Sequence, residues 1–358
     1  MSQLSHRKGD HLDLCASDKV AFRNKSTLLE QVQLMHCALP ELSIEDLDLT
    51  TSLVGQTIKA PIVIAAMTGG VDRAEEVNRD LASVAEETGL AFGFGSMRPL
   101  LQDKNKKGYF VRDVAPNALL FGNIGIVQAY QASTQQIVDM VGETDVNALC
   151  VHLNPAMEVI QTHGDRDFRG GIETLSRLSE ALPIPVIAKE TGCGLSRAIG
   201  QKVIGAGVRC VDTSGAGGTS WVGVETLRAK ARSQRLGDLY WDWGIPTGAS
   251  VAQLNGLDLE IIATGGIHTG LDIAKSIALG ATAGGIARPV LMAWNEGGRQ
   301  GALDFVRQIE DEVRFACLLT GAASPIELQQ QRIIIREELR NWIPADAPLW
   351  NRICGARR

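Results

Sequence analysis

The sequence predicts an α/β protein, a (β/α)8 TIM barrel with an N-terminal extension. Eight short apolar runs alternate with segments of helical pattern, and each run is followed by glycine or by hydrogen-bonding residues. The chain has 358 residues, which exceeds the roughly 250 residues of a typical barrel by about the size of an extension. Because the carboxyl ends of all barrel strands meet at one mouth, we expect the residues that follow the runs to form one site.

The predicted strands and helices alternate along the chain as βα units require. The strands cover residues 61–66, 90–94, 118–121, 148–151, 185–188, 208–211, 260–264 and 282–286. The segments 74–87 and 196–205 have the apolar spacing of helices, and residues 302–319 are predicted to form a closing amphipathic helix.

The gap between the sixth and seventh strands is longer than the others and contains an insertion at about 221–257. It carries Trp221, Trp241 and Trp243, which we expect to anchor it. A lid or an oligomer contact is one interpretation of the insertion, and an ordinary barrel helix accounts for part of it.

The domain organisation follows from the position of the strands. Residues 1–59 precede the first strand and form an extension, residues 60–325 form the barrel, and residues 326–358 form a C-terminal tail. No low-complexity linker and no repeat other than the βα unit separates them.

Composition excludes several classes of protein. The net charge is −6 and the pI about 5.6, so we expect no nucleic-acid or membrane partner, and an anionic ligand must be held by local cations. No stretch approaches the ~18 apolar residues of a membrane span and no apolar signal region begins the chain, which predicts a cytoplasmic protein. The seven cysteines form no C-x-x-C pair, and we interpret them as reduced thiols.

The fifth and sixth βα units indicate a phosphorylated cofactor. Lys189 follows the fifth strand, where it would place a fixed cation beside an electron-rich ring. Gly215, Gly217 and Gly218 follow the sixth strand, and their N–H groups could approach a phosphate without obstruction. A solvated lysine at a strand end is the simpler explanation of Lys189 alone.

The last two units predict the other half of the phosphate site. Gly265 and Gly266 follow the seventh strand, and the sequence Gly-Gly-Ile-Ala-Arg at 284–288 ends the eighth. Barrels often bind phosphate between these two loops, through backbone N–H groups and a helix N-terminus. The alternative is that the glycines only terminate the strands.

Seven motif regions carry a family resemblance that covers about 290 residues in order. They are RKGDH, MTGG, GSMR, HLNPAME with GDRDF, KETGCG, DTSGAGGTSW with DWGIPT, and GGIHTGLDIAKSIALGA. Together they resemble the type 2 isopentenyl-diphosphate isomerases, a family of flavin-dependent TIM barrels. The resemblance implies interconversion of isopentenyl and dimethylallyl diphosphate by proton transfer, with reduced FMN as acid and base, NADPH as reductant and Mg²⁺ holding the diphosphate. It also implies a homotetramer or homo-octamer.

The resemblance assigns roles to residues at matching motif positions. Lys189 would neutralise the N1 side of the reduced flavin, and it is a predicted catalytic residue together with His152 and Met157. The flavin contacts it implies are Ala66, Met67, Thr68, Ser96, Asn123, Lys189, Ser214 and Thr219, with Gly265, Gly266, Ala287 and Arg288 at the flavin phosphate. The substrate contacts it implies are Arg7, Lys8, Ser96, Arg98, His152, Asn154 and Met157, with Glu158 as the magnesium ligand.

Simpler explanations stand beside several of these roles. Arg7 and Lys8 could be a basic terminus without a ligand, and His152 could be a strand-end histidine with its hydrogen bonds satisfied. Glu158 could cap the GDRDF loop that follows it.

Two methionines depart from the family pattern. The family has GSQR and HLNxxQE where this chain has GSMR and HLNPAME, so Met97 and Met157 stand in place of glutamines. A thioether donates no hydrogen bond and accepts only weakly. The Met157 departure leaves open an isomerase of a modified, for example methyl-branched, prenyl diphosphate, and a non-catalytic paralogue that binds flavin or prenyl phosphate.

A third alternative is an FMN-dependent oxidoreductase of the hydroxy-acid oxidase type. That chemistry needs a histidine base and an arginine clamp near the late strands. His268 and Arg288 are the available pair, although Arg288 falls in the predicted phosphate loop.

Overall fold

The eight apolar runs form one closed parallel barrel in a computed structural model of the chain, which describes residues 18–66, 72–104 and 106–355. The strands are Ile62–Ile64, Ala91–Gly93, Leu119–Gly125, Ala148–Leu153, Val186–Glu190, Cys210–Asp212, Glu260–Thr264 and Ala283–Ile286. Each strand pairs with its neighbours in sequence, and the sixth pairs with the seventh through Cys210 and Glu260. The predicted fold class is confirmed.

Helices follow the strands and cover the outside of the barrel. They are Asp72–Thr88, Ile126–Gln131, Thr134–Thr144, Pro155–Ile160, Gly171–Ala181, Arg197–Gly205, Trp221–Arg228, Ala231–Leu239, Thr247–Leu254, Gly270–Leu279, Arg288–Thr320, Pro325–Gln330 and Glu337–Arg340. The predicted closing helix is part of Arg288–Thr320, which is kinked at Gly298. No described helix is long and apolar enough to cross a membrane.

A hairpin of the N-terminal extension closes the bottom of the barrel. Its strands, Thr51–Leu53 and Gln56–Ile58, pair antiparallel. Leu53 and Ile58 are buried among the inward-facing residues of the barrel strands, including Val63. The extension therefore completes the barrel interior at the end opposite the mouth.

The extension and the C-terminal tail pair with each other. Strand Val32–Leu34 of the extension runs antiparallel to Ile333–Ile335 of the tail. Leu29 and Leu339 belong to the same large core, which lies between the strands and the helices. Residues 326–358 were identified from the sequence only as a C-terminal tail, and their described part is folded against the barrel.

The insertion after the sixth strand consists of two helices outside the regular barrel order, Trp221–Arg228 and Ala231–Leu239. The buried helix Thr247–Leu254 then precedes the seventh strand, as an ordinary barrel helix does. Trp241 anchors the insertion, because its ring is buried and its Nε1 donates to Ala21 O at 2.9 Å. Trp243 is 60% exposed, so the expectation that all three tryptophans are anchors is wrong for this one.

Candidate active site

One cavity of about 470 Å³ opens at the carboxyl ends of the strands. It is lined by every predicted site residue that the structure describes. These are Ala66, Ser96, Arg98, Asn123, His152, Asn154, Met157, Glu158, Lys189, Ser214, Thr219, Gly265, Gly266, Ala287 and Arg288. The other four predicted residues, Arg7, Lys8, Met67 and Thr68, lie outside the described residues.

A buried carboxylate lies beyond the fourth strand. Glu158 is on the short helix Pro155–Ile160 and is 8% exposed. Its Oε1 accepts from Asn154 Nδ2 at 2.9 Å, and its Oε2 accepts from Asp165 N at 2.9 Å and from Gln161 Nε2 at 3.3 Å. Glu158 therefore does cap the loop after its helix, and it lines the cavity as well.

The histidine at the end of the fourth strand is oriented by a neighbouring strand. His152 Nδ1 is 2.9 Å from Asn123 Oδ1, and Asn123 Nδ2 donates to Phe94 O at 3.0 Å. Because the amide nitrogen is used by Phe94, the amide oxygen faces His152 and accepts from its Nδ1–H. The Asn123 amide therefore fixes the orientation of the imidazole ring.

The lysine of the fifth strand forms a buried ion pair. Lys189 Nζ lies 2.8 Å from Asp212 Oδ2, with side chains only 10% and 7% exposed. Asp212 Oδ1 accepts from Ser214 N at 3.1 Å and from Thr264 Oγ1. The ammonium group is thus held at the cavity wall by a carboxylate that is itself fixed, and the solvated-lysine explanation is wrong.

The glycines after the sixth and seventh strands pack against one another. A Cβ on Gly218 would lie 2.4 Å from Gly266 N, and a Cβ on Gly265 would lie 2.2 Å from Gly215 O. Gly215 N donates to Thr264 O at 2.8 Å. The expectation that the Gly215 N–H faces a phosphate is therefore wrong, because the N–H is used to join two loops.

The eighth strand ends at the N-terminus of the long helix Arg288–Thr320. Its N-cap residue is Ala287, whose side chain makes no capping hydrogen bond. Arg288 and the first turn line the cavity. Helix N-termini attract anions through their N–H groups and dipole, so this corner suits a phosphate.

The two methionines that replace family glutamines lie in different surroundings. Met97 is fully buried in the outer core, where its sulfur accepts from Asn123 N at 3.2 Å. Met157 lines the cavity. Only the Met157 departure changes the polarity of the candidate site.

Burial shifts the pKa of two groups beside the Lys189 strand. It raises the pKa of the Cys150 thiol to about 12, against the attraction of Lys189. It also raises the pKa of Glu190 to about 8, although the backbone N–H of Cys193 and Gly194 donate to this carboxyl. Cys150 is therefore a neutral core residue and not a nucleophile.

Three residues that matter to the site were not among those predicted. Asp212 pairs with Lys189, while Gln128 and Gln161 line the cavity and donate to Asp165 and Glu158 respectively. Asp212 is the last residue of a barrel strand, and this position could have identified it from the sequence as a residue of the mouth. Gln128 lies within a short helix and Gln161 directly after one, and no sequence pattern there distinguishes a residue that faces the cavity.

The cavity fits a phosphorylated cofactor at one side and a cation at the other. The glycine loops and the Arg288 helix start offer backbone and positive charge to a phosphate. Among the described residues no group of three or more His, Cys, Asp and Glu side chains could hold a metal. Glu158 and the buried carbonyl of Gln161, which has no described partner, suit a cation that takes its other ligands from phosphate and water.

The residues required by an oxidoreductase are only partly in place. His268 and Arg288 both line the cavity. His268 is exposed, and its backbone N–H donates to Asp272 at 3.2 Å, while Arg288 lies at the phosphate corner.

The comparison with family models identifies one family. The model described as FMN-dependent dehydrogenase matches residues 1–236 and 133–335. Two solved structures share the fold, with sequence identities too low to show more. A flavocytochrome b2 with sulfite bound has a TM-score of 0.68 at 19% identity, covering 98% of this chain and 89% of that one. A mandelate oxidase with an FMN adduct has a TM-score of 0.65 at 18% identity, covering 94% and 99%.

Curated relatives are similar over nearly the whole chain, and all three described here are named isopentenyl-diphosphate delta-isomerase. The protein of Methanosarcina acetivorans is 43% identical and covers 92% of each chain. Those of Synechococcus sp. and Methanothermobacter thermautotrophicus are 42% and 39% identical, covering 93% and 95% of this chain and 97% and 96% of their own. The resemblance found in the motifs is confirmed, and the chain belongs to the isopentenyl-diphosphate delta-isomerase family.

Proposed function

We propose that this protein interconverts isopentenyl and dimethylallyl diphosphate by moving a proton, with FMN and Mg²⁺ as cofactors. The observation that carries the proposal is the convergence of fifteen predicted residues in one cavity at the barrel mouth. Its relatives, about 40% identical, carry the name of this activity.

The diphosphate is assigned to the side of the cavity formed by the second and fourth strands. Arg98, His152 and Asn154 supply positive charge and hydrogen-bond donors there. A diphosphate carries roughly three negative charges, which require cations when they leave water. Glu158 is assigned to Mg²⁺, since this ion commonly takes one or two protein carboxylates and completes its shell with phosphate and water.

The N-terminal pair Arg7 and Lys8 is assigned to the same diphosphate. Ala21 lines the cavity, and its carbonyl accepts from Trp241 Nε1. Twelve residues separate Lys8 from Ala21, and the thirteen Cα–Cα steps can span at most roughly 45 Å, so the chain length allows the pair to reach the diphosphate side of the cavity.

FMN is assigned to the glycine loops, with its phosphate at Gly265, Gly266, Ala287 and Arg288, and NADPH is its reductant. Ala66, Met67, Thr68, Ser96, Asn123, Ser214 and Thr219 are assigned to the rest of the flavin. When bound and reduced, the flavin supplies an electron-rich ring and a proton carrier at N5.

Three side chains are assigned to the chemical step. Lys189, fixed by Asp212 at 2.8 Å, holds positive charge against the ring. His152, oriented by Asn123 through Nδ1, donates to the diphosphate from Nε2 in its protonated, imidazolium form. Met157 forms an apolar wall that excludes water from the alkene, since a thioether offers no donor.

The test is anaerobic incubation of the protein with FMN, NADPH, Mg²⁺ and isopentenyl diphosphate in deuterated water, followed by NMR. We expect deuterium incorporation together with dimethylallyl diphosphate. A protein that binds FMN and shows neither would refute isomerisation of this substrate and favour a binding role.

Replacing the proposed metal ligand tests the cation side separately. Glu158→Gln keeps the shape and removes the charge, and we expect metal-dependent activity to fall more than tenfold. Since the amide lacks the negative charge that attracts the cation, the Mg²⁺ concentration for half activity should rise. An unchanged magnesium dependence would remove Glu158 from this role.

Met157 favours a second candidate substrate, a methyl-branched prenyl diphosphate. An apolar wall leaves room for an additional methyl group where an amide would have to be desolvated. Comparing turnover of the linear and branched substrates by the same preparation decides between them.

Assembly as a homotetramer or homo-octamer in the cytoplasm completes the proposal. Leu236, Leu239 and Tyr240 are exposed on the insertion and offer an apolar surface. The six cysteines in the described part of the chain are all free thiols, which suits a reducing compartment. Light scattering of the purified protein measures the assembly, and a monomer would contradict it.

A further inference from the structure

Gln161 presents an oxygen atom that no described group satisfies. Its side chain is 4% exposed and lines the cavity immediately after the helix Pro155–Ile160. Its Nε2 donates to Glu158 Oε2 at 3.3 Å, whereas its Oε1 has no hydrogen-bond partner among the described residues. A buried acceptor without a partner has lost its hydration without gaining a hydrogen bond, so a ligand that supplies a partner is favoured here.

The orientation of this amide follows from its neighbours. A flipped amide would place Oε1 against a carboxylate oxygen, and two acceptors facing each other repel. Among the described residues, the Glu158 carboxylate also accepts from Asn154 Nδ2 and from Asp165 N. The amide nitrogen therefore faces Glu158 and the oxygen faces away from it.

The chemistry of this oxygen selects its ligand. Ionised phosphate oxygens only accept hydrogen bonds, so a diphosphate cannot satisfy a carbonyl. A hard cation, or water bound to it, can do so. The neighbouring carboxylate of Glu158 acts in the same direction, because it attracts a cation and repels phosphate.

We propose that Gln161 Oε1 is a second protein oxygen for the divalent cation at Glu158, contacting the ion directly or through one of its waters. This inference rests on the proposed function, which places Mg²⁺ at Glu158. Gln161 is distinct from position 157, where the family glutamine is replaced by methionine, and it adds a group that the motif comparison did not supply.

The test measures cation binding and not turnover. Mn²⁺ is titrated into the FMN-loaded protein with inorganic pyrophosphate as the diphosphate probe, and free Mn²⁺ is followed by electron paramagnetic resonance. Gln161→Met removes the oxygen, and we expect Mn²⁺ affinity to fall about tenfold or more, in the range found for groups that support metal ligands. Gln161→Glu keeps an oxygen acceptor at this position, and we expect it to bind Mn²⁺ at least as tightly as the parent.

A matched control makes the same chemical change outside the cavity. Gln135 Nε2 donates to Asp139 at 2.7 Å on an exposed helix face, so Gln135→Met removes an amide beside a carboxylate, and Mn²⁺ affinity should stay within twofold of the parent. Thermal unfolding gives a second readout. Without metal, Gln161→Glu places two carboxylates together, so Mn²⁺ should raise its melting temperature more than that of the parent.

The outcomes separate this inference from the proposed function. If the parent binds Mn²⁺ and Gln161→Met binds it equally well, the inference is overturned and the cation site at Glu158 stands. If Gln161→Glu loses Mn²⁺ binding as Gln161→Met does, the role of Gln161 is to position Glu158 through its amide nitrogen. The inference is then overturned as well. A parent that binds no Mn²⁺ with pyrophosphate would refute the cation assignment itself.

Discussion

The two sides of the cavity are built from different parts of the chain. On the side of the sixth to eighth strands, the cavity wall is backbone, because glycines such as Gly218 and Gly266 pack too closely for any side chain. On the side of the second to fifth strands, the wall carries charged side chains such as Glu158 and Lys189, each held by named partners. The difference shows that substitutions should act through backbone shape on one side and through charge on the other.

The largest expected effect comes from the charged side. Lys189→Met leaves Asp212 as an unpaired buried carboxylate, so we expect a loss of about 3–5 kcal/mol in the free energy of unfolding together with loss of activity. Chemical denaturation measures the stability. The double variant Lys189→Met with Asp212→Asn should recover most of the stability without recovering activity. If the free energy of unfolding of Lys189→Met lies within about 1 kcal/mol of that of the parent, the ion pair does not control the stability of this side.

The backbone side should respond to a single methyl group. Gly265 has φ +99°, and a Cβ there would meet Gly215 O at 2.2 Å, so Gly265→Ala should cost on the order of 3 kcal/mol through strain and overpacking and should weaken FMN binding. Gly142→Ala is the matched control, since its Cβ would meet nothing within 4 Å and alanine favours the helix by roughly 0.5–1 kcal/mol. Equal FMN affinity in the two variants would refute the backbone account.

Glu190, in the fifth strand at the edge of the charged side, is expected to make stability depend on pH. Its pKa is about 8 in the folded protein, with burial as the main cause, and near 4.5 in the unfolded chain. The folded state retains the proton longer, so stability should fall as pH rises from about 4.5 to 8, by at most about 1.4 kcal/mol per pH unit. Glu190→Gln should lose less stability than the parent over this pH range. Urea unfolding of both proteins at several pH values measures the difference. Parallel slopes for the two proteins would contradict the prediction.

The smallest effect is expected at the alkene wall. Met157→Gln adds a hydrogen-bonding group worth about 0.5–1.5 kcal/mol, so activity on isopentenyl diphosphate should rise about two- to tenfold. Met97→Gln is the comparison, because it places an amide in the outer core and should lower stability without raising activity. A fall in the activity of Met157→Gln, with another substrate turned over well by the parent, would show that the methionine serves a different pocket.

Many of the residues that line the cavity were predictable because of barrel geometry. A residue such as Lys189 that directly follows an apolar strand must lie at the mouth, whatever the details of packing. Gln161 could not be predicted in the same way, since it does not directly follow a strand and lies beyond a six-residue helix.

The sequence by itself determined the barrel, the mouth and the family, because strand periodicity and motifs are properties of neighbouring residues. Only the tertiary structure decided which residues distant in sequence contact each other. The Lys189–Asp212 pair joins residues 23 apart, and the pairing of Val32 with Ile335 joins the extension to the tail. Such contacts depend on register and on the packing of whole elements, which no local pattern records. The same reason explains why Met97 is buried in the core while Met157 faces the cavity.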